Sequence, residues 1–497
     1  MEKIKFILLS LSMFAGLTAC NHSEDPMLEI SSAELKVEAS GCETTLLIKA
    51  NGDWTIQTDG QSWYSVNPLS GSGPASVLIK VEAYDEVNGR SATLKISSGS
   101  LLKTLAITQM RPTPPSNPVE ETVTVRARGG ERRFVVPEGF AYKVAIPEDA
   151  QDWISVLSKD KGTLTLNFKT NATEDYRTAK VIAQTTDGAE LAAFDISQSW
   201  RNIEPGELLI EEIYYTSTLT ETGRPEKYHG DQFFKLTNNC DNPLYIDGVM
   251  IMETKYVNTW NYEFIVPIKD EYVGVGTVTC IPGSGTDVLL EPGKSVIIAN
   301  NAQDYLHDVY EADGKTLRTK GNPNSFDLSK ADFEWYDEST NNVKDIDNPL
   351  VPNLDKWYCY TLSIWVLHNR GFQSYAIGLP PATVDKKKFL SDYKWEGEYI
   401  NHTLAGDFQM RISKAYKVPN KWILDAVNCT VESKLVEFRL SETLDAGFTY
   451  CGEQNIDSDP TRFNKSVRRK KDGSTGKLVD TNNSTNDFTP NATPSLR

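Results

Sequence analysis

Two short stretches decide the fold: QSWYSV at residues 61–66 and QDWISV at residues 151–156. Trp63 and Trp153 hold the same place in each, and the likeness spreads outward from them. VEAYDEVNGRSATLKISSG (81–99) lies over TNATEDYRTAKVIAQTTDG (170–188), with Arg90 on Arg177, Ala92 on Ala179 and Gly99 on Gly188. LAITQM (105–110) lies over FDISQS (194–199). One unit is therefore written twice. Both copies alternate apolar and polar residues, as in ATLKISS and LTLNFKT, and Gly, Asn, Asp and Ser punctuate them. Short alternating runs broken by turn residues predict a small β-sandwich for each copy. Trp63 and Ser65 are expected on one strand face, as are Trp153 and Ser155. Two readings stand for the tryptophans: plugs at the end of a sandwich core, or ligand-facing rings.

The repeats sit within a chain of 497 residues with a formal net charge of -17. That charge excludes nucleic acid and anionic lipid surfaces as partners, because both need clustered Lys and Arg. RPTPPSNP (111–118) carries four prolines and predicts an extended spacer. WRNIEPGE (200–207) marks a second, weaker joint. The expected organisation is a signal peptide at 1–19, a first sandwich at 27–110, the linker at 111–118, a second sandwich at 119–199 and a large domain at 206–497. The start, MEKIK followed by FILLSLSMFAGLTA (6–19), has a charged end and an apolar run too short to span a bilayer.

Resemblances to known families refine this picture. LTAC (17–20) resembles a bacterial lipobox, which implies lipidation of Cys20 and anchoring in a membrane by acyl chains. Ser23, Glu24 and Asp25 just beyond it resemble the export signal of Bacteroidetes lipoproteins. That likeness implies the outer face of the outer membrane. Residues 52–109 resemble a BACON domain: Trp54, Trp63, a Gly/Ser loop, the R-x-A-x-L-x-I strand from Arg90 to Ile96 and the closing I-x-Q at Ile107–Gln109. The second copy is BACON-like but has Tyr142 where the first has Trp54, and it lacks the PLSGSG loop. The family implies carbohydrate or mucin binding, or a spacer role. In the third part, GELLIEEIYYTS (206–217), DQFFKLTNNCDNPLYIDGVMIM (231–252), VLLEPGKSVIIANN (288–301) and DTNNSTNDF (480–488) follow in the order of the lamin-tail type of immunoglobulin-like domain. Residues 302–425 are expected as insertions into it. The fold class is thus all-β: two tandem Ig-like, BACON-like sandwiches and a larger, elaborated lamin-tail-like sandwich.

Catalytic signatures are missing from the sequence. The five histidines have no H-x-x-x-H spacing, and there is no G-x-S-x-G, P-loop or H-E-x-x-H motif. Cys359 and His368, nine positions apart on one strand, would face opposite sides. Glu211/Glu212 and Asp345/Asp347 are the nearest approach to a carboxylate pair, with solvated faces as the plainer reading. DTNNSTND (Asp480–Asp487) has calcium-loop spacing at Asp480, Asn482 and Ser484. Its sixth position is Thr485 and its twelfth Asn491, so a turn-rich tail competes with a calcium site. No C-x-x-C pair points to zinc. Pairing among Cys240, Cys280, Cys359, Cys429 and Cys451 stays open. No metal, cofactor or catalytic residue is assigned.

The binding candidates are aromatic. NTWNYEF (258–264) sets Trp260, Tyr262 and Phe264 on one strand face, FEWYD (333–337) offers Trp335 and Tyr336 among acidic neighbours, and YKWEGEY (393–399) adds Trp395. Such rings stack on sugars while flanking polar groups bind hydroxyls; core packing is the alternative. The expectation is a lipid-anchored, non-catalytic binding protein for glycan or another nutrient beside a TonB-dependent transporter. An adhesin for a protein partner or mucin, and then a hydrolase, are the competing readings. The ligand's identity, the transporter and the oligomeric state are left open by the sequence.

Overall fold

The structure, a computed structural model, describes residues 25–496 apart from 87, 161, 225–229, 312, 337–344 and 362–363. The signal peptide and Cys20 lie outside the described residues. The chain divides into two compact units. The first comprises Met1–Val123, Gly130–Phe168 and Thr178–Ile196; the second comprises Thr124–Gly129, Lys169–Arg177 and Ser197–Arg497.

In the first unit, residues 28–109 form two facing sheets. One runs Leu28–Ile30, Cys42–Ala50, Ala75–Val81, Tyr64–Asn67, and the other Glu34–Val37, Leu101–Gln109, Arg90–Ser98, Asp53–Gln57, Ser70–Ser72. Strict alternation drives the packing: Val77, Leu94, Ile96 and Ile107 are essentially inaccessible while their chain neighbours face water. Trp54 is buried, donates its indole N–H to Gly73 O at 3.0 Å, and lies so close to Gly71 that a Cβ there would meet the ring at 2.4 Å. That contact, rather than any turn, requires Gly71. In the second copy Tyr142 takes this role, donating its hydroxyl to Thr163 O at 2.9 Å. Trp63 and Trp153 sit in the turns just before their strands rather than on them. Tyr64 and Val66 supply the inward face, and Trp63 packs at the edge of the core with the Arg90 guanidinium 4.6 Å from its ring.

The repeated Arg and Gln have one explanation in both copies. Arg90 Nε donates to Gln109 Oε1 at 2.8 Å, and Gln109 Nε2 donates to the carbonyls of Glu82, Glu38 and Ala39. In the second unit, Arg177 Nε donates to Gln198 Oε1 at 2.8 Å, and Gln198 Nε2 donates to the carbonyls of Lys169, Arg126 and Ala127. Both glutamines are wholly buried, so each fully bonded amide adds a second donor to three loop carbonyls and ties the loops together.

The rest of the second unit is a large sandwich. A six-stranded sheet runs Phe333–Glu334, Ser295–Ala299, Phe233–Asn238, Leu208–Tyr214, Ser466–Arg469, Phe488–Ala492. It packs on a seven-stranded sheet centred on Met250–Thr254, Ser374–Gly378 and Ile423–Thr430, through Ile210, Ile213, Phe234, Ile251, Tyr375 and Val427. Residues 302–425, expected as insertions, supply central strands of this sandwich. Leu208–Tyr214 is buried on both faces. Glu211 and Glu212 are therefore structural: Glu211 binds Lys235 and Thr237, and Glu212 accepts from Ser466 and Ser495.

Candidate functional site

A small three-stranded antiparallel sheet, Asn261–Phe264, Gly397–Thr403 and Gly406–Ile412, stands on the second unit. Its register sets Tyr262 opposite Asn401 and Phe264 opposite Tyr399. One face therefore carries Tyr262, Phe264 and Tyr399, as alternation requires. These rings close around Tyr256, with centroids 4.9 Å (Tyr262), 5.1 Å (Phe264) and 5.1 Å (Tyr399) away. Trp395 completes the cluster, 5.1 Å from Phe264. Gly274 makes room for it: a Cβ there would lie 2.3 Å from the Trp395 ring. Trp260 continues the row outward, 6.1 Å from Tyr262 at 30° and 51% exposed.

Beside this cluster lies a small cleft of about 60 Å³ lined by Tyr256, Phe264, Tyr272 and Trp395 on the aromatic side and by Lys269, Glu437 and Arg439 on the charged side. Arg439 Nη2 donates to Glu437 Oε2 at 2.7 Å, and its guanidinium lies 5.2 Å from the Tyr262 ring. Lys269 Nζ lies 3.8 Å from Glu437 Oε1. Burial lowers the Arg439 pKa and raises those of Tyr256 and Tyr262, so both phenols stay neutral hydrogen-bonding groups. Buried Asn258 fixes the charged segment: its Oδ1 accepts from Arg439 N, and its Nδ2 donates to Ser374 Oγ and Cys429 O. The arrangement offers the exposed Trp260 indole and, in the cleft, apolar ring surface beside held charges, which suits a ligand with one apolar face and many hydroxyls. On the sheet's opposite face His402 lies between Asp407 (2.7 Å) and Glu263 (3.0 Å), and these hydrogen bonds raise its pKa.

The structure brings together Trp260, Tyr262 and Trp395 of the expected residues, but only Trp260 is exposed; Tyr262 and Trp395 are buried in a cluster with Tyr256 and Tyr399, the core packing named as the alternative. Trp335 and Tyr336 are not with them. Trp335 is buried, stacks near Phe234 and Trp365, and donates its N–H to Trp365 O at 3.1 Å. Its acidic neighbours suggested exposure, but Glu334 is itself buried, accepting from the N–H groups of Ala302 and Asn348, with burial pushing its pKa up to about 7. Half-buried Tyr336 lines a separate small void of about 10 Å³ with Trp335 and Trp365. Arg439 and Tyr256 were missed. Tyr256 lies in the bends and turns between two strands, where strand parity gives no signal. Arg439 comes from a distant part of the chain and had none.

The tail at Asp480–Asp487 uses its oxygens internally. Asp487 accepts from Thr481 and Asn483, Asn483 caps the short helix Ser484–Asp487, and Asp480 accepts from Arg469. All six described cysteines are free thiols. Cys359 contacts Thr277 and Thr361, while burial pushes His368 down to about 4 as it stacks on Phe372.

Residues 52–110 match the BACON family, described as a proposed N-terminal binding domain, over the stretch that carries the resemblance noted above. Residues 291–495 match DUF4876, described as a protein of unknown function. Among solved structures, the chain is similar to a DUF4876 family protein from Bacteroides thetaiotaomicron, at 19% identity over 93% of this chain and 95% of that one, with a TM-score of 0.43. A shorter likeness, to a Bacteroides ovatus GH5 xyloglucanase in complex with a XXXG heptasaccharide, has 29% identity over 18% of this chain and 20% of that one, with a TM-score of 0.17. No curated protein matches the chain. The BACON match points to a binding role.

Proposed function

We propose that this chain is a non-catalytic surface lipoprotein that captures carbohydrate in the aromatic cleft, anchored through Cys20 to the outer face of the outer membrane beside a TonB-dependent transporter. The observation that carries the reading is the graded aromatic row: exposed Trp260, then Tyr262 and Phe264, leading to the Trp395 edge of a cleft with a fixed charged rim. A sugar ring stacks on such faces and hydrogen-bonds to Glu437 and Lys269. Glycosidic hydrolysis needs two facing carboxylates. Among its described lining residues the cleft holds one, Glu437, already bound to Arg439, which supports binding without chemistry.

One observation favours the adhesive reading. The hairpin Gly397–Thr403/Gly406–Ile412 exposes Leu404 at its tip and Phe408 and Met410 along its edge, an apolar surface suited to a protein partner. Extraction from native outer membranes in mild detergent with a C-terminal tag separates the two. Stoichiometric recovery of a TonB-dependent barrel supports the transporter accessory, and recovery of the lipoprotein alone removes the transporter from the account. A Cys20→Ser variant that stays membrane-bound would remove the lipid anchor.

A further inference from the structure

A second cavity in the second unit, about 480 Å³, shares no lining residue with the aromatic cleft. Its walls carry Trp200, Tyr245 and Trp357, with hydroxyl and amide groups from Thr170, Ser284 and Asn202 between them. The wall is stiff. Trp200 is buried beneath the Arg201 guanidinium at 4.2 Å, Trp357 packs 5.5 Å from Phe389, and Asn202 Oδ1 accepts from Arg128 N at 2.8 Å.

The charges on this wall are unequal in what they are free to do. Arg201 is committed: Nη1 pairs with Glu204 at 3.2 Å, and Nε and Nη2 donate to Lys421 O. Asp247 is buried, with its oxygens taken by the N–H groups of Gly285, Asp287 and Val288. Asp385 gives one oxygen to Lys388 N at 2.7 Å. Arg128 differs: it is exposed, its guanidinium carbon lies over the Tyr245 ring at 4.7 Å from the centroid, and no described carboxylate pairs with it. A guanidinium held this way without a carboxylate partner keeps N–H donors for a carboxylate or sulfate, which it can take in two parallel hydrogen bonds.

We infer that this groove is a second saccharide site, selective for a chain carrying one acidic sugar, whose carboxylate or sulfate pairs with Arg128 while a neighbouring ring rests on Trp357. A densely charged polyanion does not fit, since one uncommitted cation faces a chain of net charge -17.

The test uses the folded, lipid-free chain. Sialyllactose, an aldouronic xylo-oligosaccharide and digalacturonate monomethyl ester are titrated by calorimetry, each against its uncharged counterpart: lactose, the unbranched xylo-oligosaccharide and the dimethyl ester. At least one acid is expected to bind about tenfold more tightly than its counterpart. Arg128→Gln, which should melt like the wild type because the side chain is exposed, is expected to erase that preference. Trp357→Ala should weaken both forms. Trp260→Ala should leave the preference intact, which separates this site from the aromatic cleft. The inference is overturned if none of the three acids binds, if acid and neutral forms bind alike, or if Arg128→Gln keeps the preference.

Discussion

Glu253 is the most informative residue to change. It lies in the middle of the seven-stranded sheet, between Thr277 and Tyr375 on the neighbouring strands, and is 1% exposed. Neither carboxylate oxygen receives a well-formed hydrogen bond. Burial pushes its pKa up to about 8, against smaller opposing effects of the Trp365 indole and the Lys255 ammonium. A carboxyl that binds its proton more tightly when folded stabilises the fold fully below its ordinary value near 4.5, and that stability is lost as pH rises through about 8. Each tenfold in proton affinity is worth about 1.4 kcal/mol, so the penalty at and above pH 8 reaches roughly 4–5 kcal/mol. Glu253→Gln keeps the shape and removes the titration. It should stabilise the second unit by about 2–4 kcal/mol at pH 8, since the buried amide retains part of the desolvation cost, and by almost nothing near pH 4.5. Urea unfolding followed by the fluorescence of buried Trp335, Trp365 and Trp422 measures this, with the variant-minus-wild-type difference plotted against pH. A flat difference, or a variant less stable at pH 8, would refute the reasoning.

Three further outcomes follow from the packing. Arg469 is buried with Asp425 in a bidentate pair at 2.6 and 2.7 Å, and Asp480 lies at 3.3 Å. Arg469→Met should lower stability by about 3–5 kcal/mol by stranding buried carboxylates, read as loss of soluble yield and a lower urea midpoint. Gln109→Leu and Gln198→Leu should each cost about 1–3 kcal/mol, because each removes the acceptor of a part-buried arginine Nε–H and one donor to each of three loop carbonyls; similar melting-temperature losses in the two variants would bear out the duplicated lock. Trp335→Ala should cost about 3–5 kcal/mol and leave binding in the aromatic cleft unchanged wherever the variant is folded, as calorimetry on the folded fraction would record.

What the sequence made legible was local. The duplicated Arg and Gln and the alternating strands come from short-range patterns, so the all-β class and the duplication could be read directly, whereas Trp63 and Trp153, expected on strand faces, lie in the turns before them. Tyr262 and Phe264 were legible for the same reason, since strand alternation put both on one face; Trp260, expected with them, lies in the bend just before the strand and stacks on Tyr262 from there. Trp335 was misread because charged neighbours signal exposure only when they are solvated, and here Glu334 is held by backbone N–H groups inside the protein. Arg439 and the charged rim were illegible because Asn258 joins segments almost two hundred residues apart, a pairing that only the fold specifies.

The most direct test of carbohydrate capture is a neutral-glycan array, followed by calorimetry of the best hit on the wild type and on Trp260→Ala. Trp260 is half exposed and supports no core, so the variant should melt like the wild type. The account predicts a neutral glycan that binds the wild type and loses roughly tenfold or more in affinity, about 1.4 kcal/mol, when the indole is removed. Absence of any glycan ligand, or an affinity that Trp260→Ala leaves unchanged, would contradict it.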